Sequence, residues 1–194
     1  MVETSISLLE RLRIRPDPTS WDRLVDLYTP LIRNWLRRYL LQQPDVDDLV
    51  QEVLAVLVRE LPQFQHEGRP GAFRSWLRTI TVNRIRTFFH GQRTRPLATG
   101  DSDFERVLEQ LADPTSTLTR LWDEEHDRHV LRRLLELIEP EFEPTTWRAF
   151  QLLVLQGRRT AEVAAELGMS PNAVRIAKSR IQTRLRQEAE GLID

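Results

Sequence analysis

The sequence lacks the features that mark several large classes of protein. None of its 194 residues is cysteine, which excludes disulfide bonds and thiolate metal sites. No apolar run approaches the length of a membrane span, and the N-terminal segment MVETSISLLERLRIRP lacks the apolar core of a signal peptide. We therefore expect a cytoplasmic protein without membrane insertion. Strand patterns are almost absent, whereas apolar residues recur with helical spacing, which predicts an all-α fold.

Charge is present in quantity but is distributed unevenly along the chain. The formal net charge is −1, yet residues 1–100 carry +4, residues 101–144 carry −8 and residues 145–194 carry +3. Between Gly68 and Gly100 there are seven arginines and no acidic residue. Two basic blocks that flank an acidic middle indicate separate interaction surfaces, and the arginine-rich run is a candidate for binding nucleic acid.

The helical pattern predicts two small domains. Helices are expected at about 5–15, 20–39, 45–61, 72–90, 116–139, 145–156, 161–167 and 171–189. Pro30 should kink the second of these or start a new helix there. The intervening stretch is rich in Gly, Thr, Ser, Asp and Pro, which is typical of a linker. We therefore predict helical domains at 1–95 and 116–194, joined by a flexible acidic linker at 96–115.

Residues 160–179, TAEVAAELGMSPNAVRIAKS, have the pattern of a helix-turn-helix. Thr160 is expected to cap the first helix, Gly168 to end it, and Ser170 with Pro171 to begin the second. The positions expected to face inward are Val163, Ala164, Leu167, Val174, Ala177, Ile181 and Leu185. The polar outer face consists of Asn172, Arg175, Lys178, Ser179, Gln182 and Arg186. An ordinary helical hairpin would also fit these signals, but the basic outer face favours binding in a DNA major groove.

The helix predicted at 72–90 combines arginine with aromatic residues. Arg74, Arg78, Arg84 and Arg86 are candidates for phosphate contacts, and Asn83 could read the edge of a base. The aromatic residues could stack on bases of a single strand or belong to the core. For Phe73, Trp76 and Ile80 the core interpretation is strong, and for Trp76 we favour it over base stacking.

The helix predicted at 46–61 begins with acidic residues. The acids near its first turns, Asp47, Asp48 and Glu52, are stabilised by the helix dipole, so capping alone explains them. Asp48, Gln51, Glu52 and Ala55 also lie on a face distinct from the apolar one, which would suit docking on a basic partner helix. The residues alone favour the capping interpretation.

The sequence offers little support for catalysis or metal binding. The four histidines are scattered, and His126 and His129 are expected to lie on an exposed, charge-rich helix surface rather than to hold a metal. Asp45, Asp47 and Asp48 could bind Mg²⁺, but no second carboxylate cluster accompanies them. We expect a protein that is not an enzyme and that needs no cofactor or metal.

Three segments together resemble a known family. DVDDLVQEVLAVLVRELPQF, GAFRSWLRTITVNRIRTFF and the helix-turn-helix, in this order, resemble bacterial RNA polymerase sigma factors of the extracytoplasmic-function (ECF) group, which keep only regions two and four. The resemblance covers about residues 20–95 and 118–190. The segments TTWRAF, EVAAELGMS and AKSR are also similar to sigma factors of planctomycete-type bacteria.

The resemblance implies a role for each matching position. The segment that binds the coiled coil of the polymerase β′ subunit would be Asp47, Asp48, Leu49, Gln51 and Glu52. The residues that contact melted promoter DNA and the minus-ten element would be Phe73, Arg74, Trp76, Arg78, Asn83, Arg84 and Arg86. The minus-thirty-five recognition helix would carry Asn172, Arg175, Lys178, Ser179 and Arg180. The implied partners are core polymerase, through its β′ coiled coil and β flap, promoter DNA, and an anti-sigma factor as a further candidate.

Two other functions remain open from the sequence. The chain could be a stand-alone dimeric helix-turn-helix regulator, with residues 1–90 as an effector or dimerisation domain. It could also be an all-α adaptor that does not contact DNA. Native co-purification separates these readings, because a sigma factor associates with core polymerase whereas a regulator binds its operator alone.

Overall fold

The computed structural model describes residues 7–14, 17–38, 43–65, 69, 71–92 and 101–193. Over these residues the chain is all-α, as predicted, and contains no strand. The helices are α1 (Leu8–Ile14), α2 (Pro18–Arg38), α3 (Gln43–Glu60), α4 (Ala72–Gln92), α5 (Asp101–Ala112), α6 (Thr117–Ile138), α7 (Pro144–Phe150), α8 (Thr160–Leu167) and α9 (Pro171–Ala189). Short 3₁₀ turns follow α3 and α6, and a π-helical turn, Gln151–Leu155, continues α7.

The structure narrows one expectation about the helices and overturns another. Pro30 lies inside a continuous α2, so no new helix starts there, and the alternative of a kink stays a prediction. Helix α5 occupies most of the stretch predicted as linker, and its Leu108 and Leu111 are buried. These leucines belong to the segment FERVLEQL, in which apolar residues recur at helical spacing. The Gly, Thr, Ser and Pro residues around the segment favoured the linker interpretation instead. Residues 93–100, which include Arg93 and Arg95 and the start of the predicted linker, lie outside the described residues.

The chain divides into two compact units, which we call the first unit and the second unit. The first unit is centred on residues 8–130 and the second on residues 131–190. Their boundary falls inside α6 and not in the predicted linker at 96–115. The first half of α6 is packed in the first unit. The assignment of separate functions to 1–95 and 116–194 stays a prediction.

Aromatic side chains form much of the core of the first unit. Trp35 of α2 packs on Trp122 of α6 with ring centroids 4.8 Å apart, and both are almost fully buried. Tyr28 of α2 lies 5.4 Å from Phe73 of α4. Rings of this size bury large apolar areas, so these contacts fix α2, α4 and the first half of α6 against each other. Apolar residues of α1 and α3 complete the core, among them Leu8, Leu12, Leu49, Val53 and Leu57.

The two histidines of α6 are buried, so the prediction that they lie on an exposed surface was wrong. His126 is fully buried, and its Nδ1 lies 2.9 Å from the Asp127 carboxylate. Because a carboxylate only accepts, Nδ1 donates this bond, and Nε2 can accept from the Tyr28 hydroxyl at 3.3 Å. His129 donates to the backbone carbonyl of Leu27 at 2.7 Å. These bonds satisfy polar atoms that the aromatic core would otherwise leave unpaired.

The second unit is held by two apolar clusters and one buried ion pair. One cluster joins Ile138 of α6 to Trp147, Phe150 and Ile181, and the other joins α7 and its π-helical turn to α8 and α9. The Arg184 guanidinium binds the fully buried Glu188 carboxylate at 2.6 Å and also reaches Glu141. Because Glu141 follows α6, this arginine ties the end of α6 to α9.

Two features are absent from the residues that the structure describes. No helix among them is long and apolar enough to cross a membrane. The same residues contain no cluster of three or more His, Asp or Glu side chains able to hold a metal ion.

The buried His126 leads to a prediction about pH. Burial lowers the pKa of His126 below its ordinary value of 6.5, against the opposing effect of Asp127. The unfolded chain therefore binds more protons than the folded chain, and stability must fall as the pH drops below about 7. We expect the free energy of unfolding to decrease by up to about 1.4 kcal/mol per pH unit in this range.

Urea denaturation followed by circular dichroism at several pH values between about 5.5 and 7.5 measures this slope. His126→Gln keeps one donor and one acceptor but cannot titrate, so its stability should be lower overall and less dependent on pH. His90→Gln, at an exposed position of α4, is the matched control and should keep the slope of the original chain. A slope that survives His126→Gln would contradict the prediction.

Candidate nucleic-acid and polymerase interfaces

The helix-turn-helix of the second unit has the turn chemistry that its sequence predicts. Gly168 follows α8 with φ of 62°, a left-handed conformation that is costly for other residues. The Ser170 hydroxyl accepts a hydrogen bond from the amide of Ala173 at 3.1 Å, and Pro171 occupies the first position of α9. The turn is therefore short and defined, which fixes the direction of α9 relative to α8.

The start of α8 differs from the prediction by one residue. The N-cap position is Arg159 rather than Thr160, which is the first residue of the helix. The Glu162 carboxylate accepts from the backbone amide of Arg159 at 3.3 Å and pairs with its side chain at 2.6 Å. A hydrogen bond from the Arg159 side chain, together with this backbone contact, lowers the pKa of Glu162 below its ordinary value. Glu162 thus does the capping that the sequence assigned to Thr160.

The inner face of α9 is the predicted one. Val174, Ala177 and Ile181 are buried, and Ala164 of α8 packs in the same cluster as Val174 and Ala177. A small side chain at 164 allows α8 and α9 to approach closely. With this face held in the core, the opposite face of α9 is turned to solvent.

The outer face of α9 is exposed and basic. All five positions predicted to contact DNA are exposed, namely Asn172, Arg175, Lys178, Ser179 and Arg180. No acidic residue occurs between Pro171 and Gln187. Amide, hydroxyl and guanidinium groups on one helix face can donate to bases and to phosphates in a major groove. The structure therefore brings these predicted residues together on one accessible surface.

Helix α4 places its two predicted aromatic contacts in different environments. Phe73 is fully buried and belongs to the core of the first unit. Trp76 is half-buried and stacks on Phe64, with ring centroids 4.5 Å apart. The core interpretation of Phe73 is confirmed, and the inward face of Trp76 is occupied by Phe64. In this conformation Phe73 supports the helix and cannot stack on a base.

The two arginines of the first half of α4 are paired with acids of α6. Arg78 is only 6% exposed, and its Nη1 donates to the Asp123 carboxylate at 3.0 Å. Arg74 donates to Asp127 at 2.8 Å and lies 3.6 Å from Asp123. We call these four residues the arginine–aspartate cluster. The arginines predicted to contact phosphates therefore already hold carboxylates in the described structure.

The pKa shifts in the arginine–aspartate cluster reflect burial and pairing. Burial opposes ionisation of Asp127, but a hydrogen bond from His126 and the charge of Arg74 outweigh it, so its pKa lies below the ordinary value. Burial lowers the pKa of Arg78, while Asp123 acts in the opposite direction. Arginine stays charged far above neutral pH, so the cluster consists of ionised partners.

The second half of α4 is more accessible. Asn83 is exposed, and Arg84 and Arg86 are partly exposed. The Thr87 hydroxyl donates to the backbone carbonyl of Asn83 at 2.9 Å. This bond involves the backbone of Asn83 and not its side-chain amide. An amide flanked by two guanidinium groups can bind a base edge together with its neighbouring phosphates.

Helix α3 turns most of its predicted polymerase-binding residues outward. Asp48, Gln51 and Glu52 are exposed on one face, whereas Leu49 is fully buried in the core of the first unit. Asp47 is partly exposed and pairs with Arg33 of α2 at 3.1 Å. A hydrogen bond from Gln43, followed by the charge of Arg33, lowers the pKa of Asp47. Leu49 therefore holds the helix in place, while the other residues form an acidic surface.

Sequence reasoning missed three residues that bear on these surfaces. Asp123 and Asp127 occupy the arginines of α4, and their signal was the acid-rich segment DEEHD, which was assigned to an exposed helix. Ile176, an apolar residue half exposed on the outer face of α9, was not among the predicted contacts. Its signal was its position between Arg175 and Lys178, away from the buried stripe of the helix.

Comparison with known proteins gives matches in both parts of the chain. Residues 24–95 match the model of the sigma-70 region 2 family. The chain is 31% identical to a probable RNA polymerase sigma factor, RfaY, of Xanthomonas campestris over 73% of its own length and 33% of that protein. It is 26% identical to the ECF RNA polymerase sigma factor SigE of Mycolicibacterium smegmatis, over 86% of the chain and 60% of that protein.

A third relative matches along its whole length. The ECF RNA polymerase sigma factor ShbA of Streptomyces griseus is 28% identical, and the match covers 96% of both proteins. The chain therefore spans about a third of the first relative, three fifths of the second and nearly all of the third.

Proposed function

We propose that the chain is a sigma factor of the ECF group, which binds core RNA polymerase in the cytoplasm, directs it to promoters and helps to open them. Its match to the region 2 family and its similarity to sigma factors support this proposal. In this role the chain supplies binding surfaces and no catalytic group. The narrower similarity to planctomycete-type factors and an anti-sigma partner stay predictions.

One observation carries the proposal. The region 2 domain at residues 24–95 and the exposed basic face of α9, which has no acid between Pro171 and Gln187, occur in the same chain, on separate compact units. A stand-alone regulator needs only the second of these. A factor that places polymerase at two promoter elements needs both, since one surface must hold duplex DNA and the other must hold an opened strand.

The acidic surface of α3 supports docking on polymerase. Asp48 and Glu52 lie one helical turn apart and are both exposed, so a basic partner can approach both carboxylates directly. Such a surface suits a basic helical segment, as we propose for the β′ coiled coil. The family resemblance adds the β flap as a second polymerase contact.

The DNA contacts of α4 divide into two groups. Asn83, Arg84 and Arg86 are accessible, and we propose that they hold the minus-ten strand. For Arg74 and Arg78, the N–H groups that already donate to Asp127 and Asp123 can bind a phosphate only if it replaces the carboxylate. The two acids therefore compete with DNA, so the free protein should bind single strands weakly.

The proposed function is tested by transcription from purified components. Core polymerase with the chain should initiate on promoter-bearing genomic fragments that core polymerase alone does not transcribe. Because each DNA-binding surface is weak alone, the free protein should bind the same fragment weakly and with strong salt dependence, whereas the complex should bind tightly. Tight, specific binding by the free protein would favour the stand-alone regulator instead.

A charge-reversal variant tests the docking surface on α3. Asp48→Arg with Glu52→Arg should weaken binding to core polymerase by at least about tenfold, because it turns attraction to a basic partner into repulsion. Fluorescence titration of core polymerase measures the affinity, and circular dichroism checks that helical content is kept. Glu105→Arg with Glu109→Arg makes the same change at two exposed positions of α5 with the same spacing, and should leave the affinity unchanged. Equal losses in both variants would argue against this surface.

A second pair of variants separates the two DNA surfaces. Arg175→Ala or Lys178→Ala should weaken protection of the upstream duplex by about 1–3 kcal/mol for a contact to a base. Asn83→Ala should keep that protection and instead reduce strand opening. Footprinting and permanganate reactivity of the holoenzyme on one promoter report these two effects separately. If both variants lost the same protection, the division between α9 and α4 would be wrong.

A further inference from the structure

The outer face of α9 contains one apolar side chain that packing does not explain. Ile176 is 50% exposed, whereas the apolar residues Val174, Ala177 and Ile181 of the same helix are buried. Exposing half of an isoleucine forgoes a good part of the stabilisation that burial would provide. Single exposed apolar residues are common on proteins, so the exposure of Ile176 indicates a function only if its position on the helix supports one.

Ile176 lies in the middle of the surface that we propose reads DNA. Asn172, Ile176 and Ser179 recur at intervals of four and three residues, so they share one face of the helix, opposite the buried stripe. Arg175, Lys178 and Arg180 are exposed beside them, and no acid interrupts this face. An apolar centre surrounded by cations fits a polyanion that presents an apolar group, which favours duplex DNA over an acidic protein.

The chemistry of the major groove offers one such group. Each base pair presents hydrogen-bond donors and acceptors there, and thymine alone adds a methyl group, at C5. The polar neighbours of Ile176 can bind the donors and acceptors, but only an apolar side chain gains from contact with the methyl group. We propose that Ile176 is a specificity-determining residue that selects thymine at one position of the upstream promoter element by contact with its C5 methyl group.

This inference rests on the proposed function, and the test separates the two. Holoenzyme reconstituted from core polymerase and the full chain is used to select duplexes from a pool with a random upstream segment. The holoenzyme with the original chain should select thymine at one position more strictly than the holoenzyme with Ile176→Ala. If neither holoenzyme selects any upstream sequence, the proposed function fails, and the inference fails with it.

Replacing the selected thymine with deoxyuridine removes only the methyl group and leaves base pairing unchanged. For the original chain, this replacement should weaken holoenzyme binding roughly fourfold, which is the value of one buried methyl group. Ile176→Ala should bind the thymine duplex several-fold more weakly and should no longer distinguish thymine from deoxyuridine. Leu121→Ala removes an apolar side chain of similar exposure on α6 and should keep the full discrimination.

Two results would overturn the inference while leaving the proposed function intact. In the first, the holoenzyme selects an upstream sequence, yet no deoxyuridine substitution in it changes the affinity. In the second, Ile176→Ala reduces binding to core polymerase itself, measured without DNA. That outcome would assign the exposed isoleucine to a protein contact.

Discussion

The packing of the first unit depends on the ion pair between Arg78 and Asp123. The Arg78 side chain is almost completely buried, and a charge in that position is tolerated only because a carboxylate of α6 meets it at 3.0 Å. Removing Asp123 would leave the buried Arg78 charge without its carboxylate, which is destabilising. The first half of α6 therefore contacts α4 through these side chains, while its Trp122 packs on Trp35 and its His126 lies beside Tyr28.

The same constraint limits what α4 can do. The N–H groups that donate to the aspartates are not available to a phosphate, so the stability of the first unit and the proposed DNA binding by Arg74 and Arg78 draw on the same donors. Exchange of partners is easier for Arg74, whose side chain is 20% exposed, than for Arg78. We infer that contact with DNA begins at the accessible second half of α4, and that Arg74 is the first member of the arginine–aspartate cluster to change partner.

Many features that depend on neighbouring residues could be predicted from the sequence, although α5 and the cap of α8 were missed, whereas contacts between distant residues could not. Gly168, Ser170 and Pro171 act within one turn, so the helix-turn-helix and the exposed face of α9 followed from local chemistry. The arginine–aspartate cluster joins residues 45 or more positions apart, and the bond from His129 to Leu27 spans 102 positions. Helical spacing shows which residues share one face of a helix, but it does not show which other helix packs against that face.

The difference between the two basic surfaces explains why they would need to act together. The helix α9 carries no acid between Pro171 and Gln187, so under the proposed function its outer face would attract duplex DNA, and the charges alone would give affinity without choice of sequence. The arginines of the first half of α4 are paired with acids, so under the proposed function this surface would add little until a strand displaced the acids of α6. A complex that holds the duplex on α9 would raise the local concentration of the opened strand at α4. Exchange of carboxylate for phosphate at Arg74 and Arg78 would then be favourable only where α9 is already bound. Under the proposed function, base contacts of α9 would then decide which duplexes stay bound, and only those duplexes would present a strand to α4.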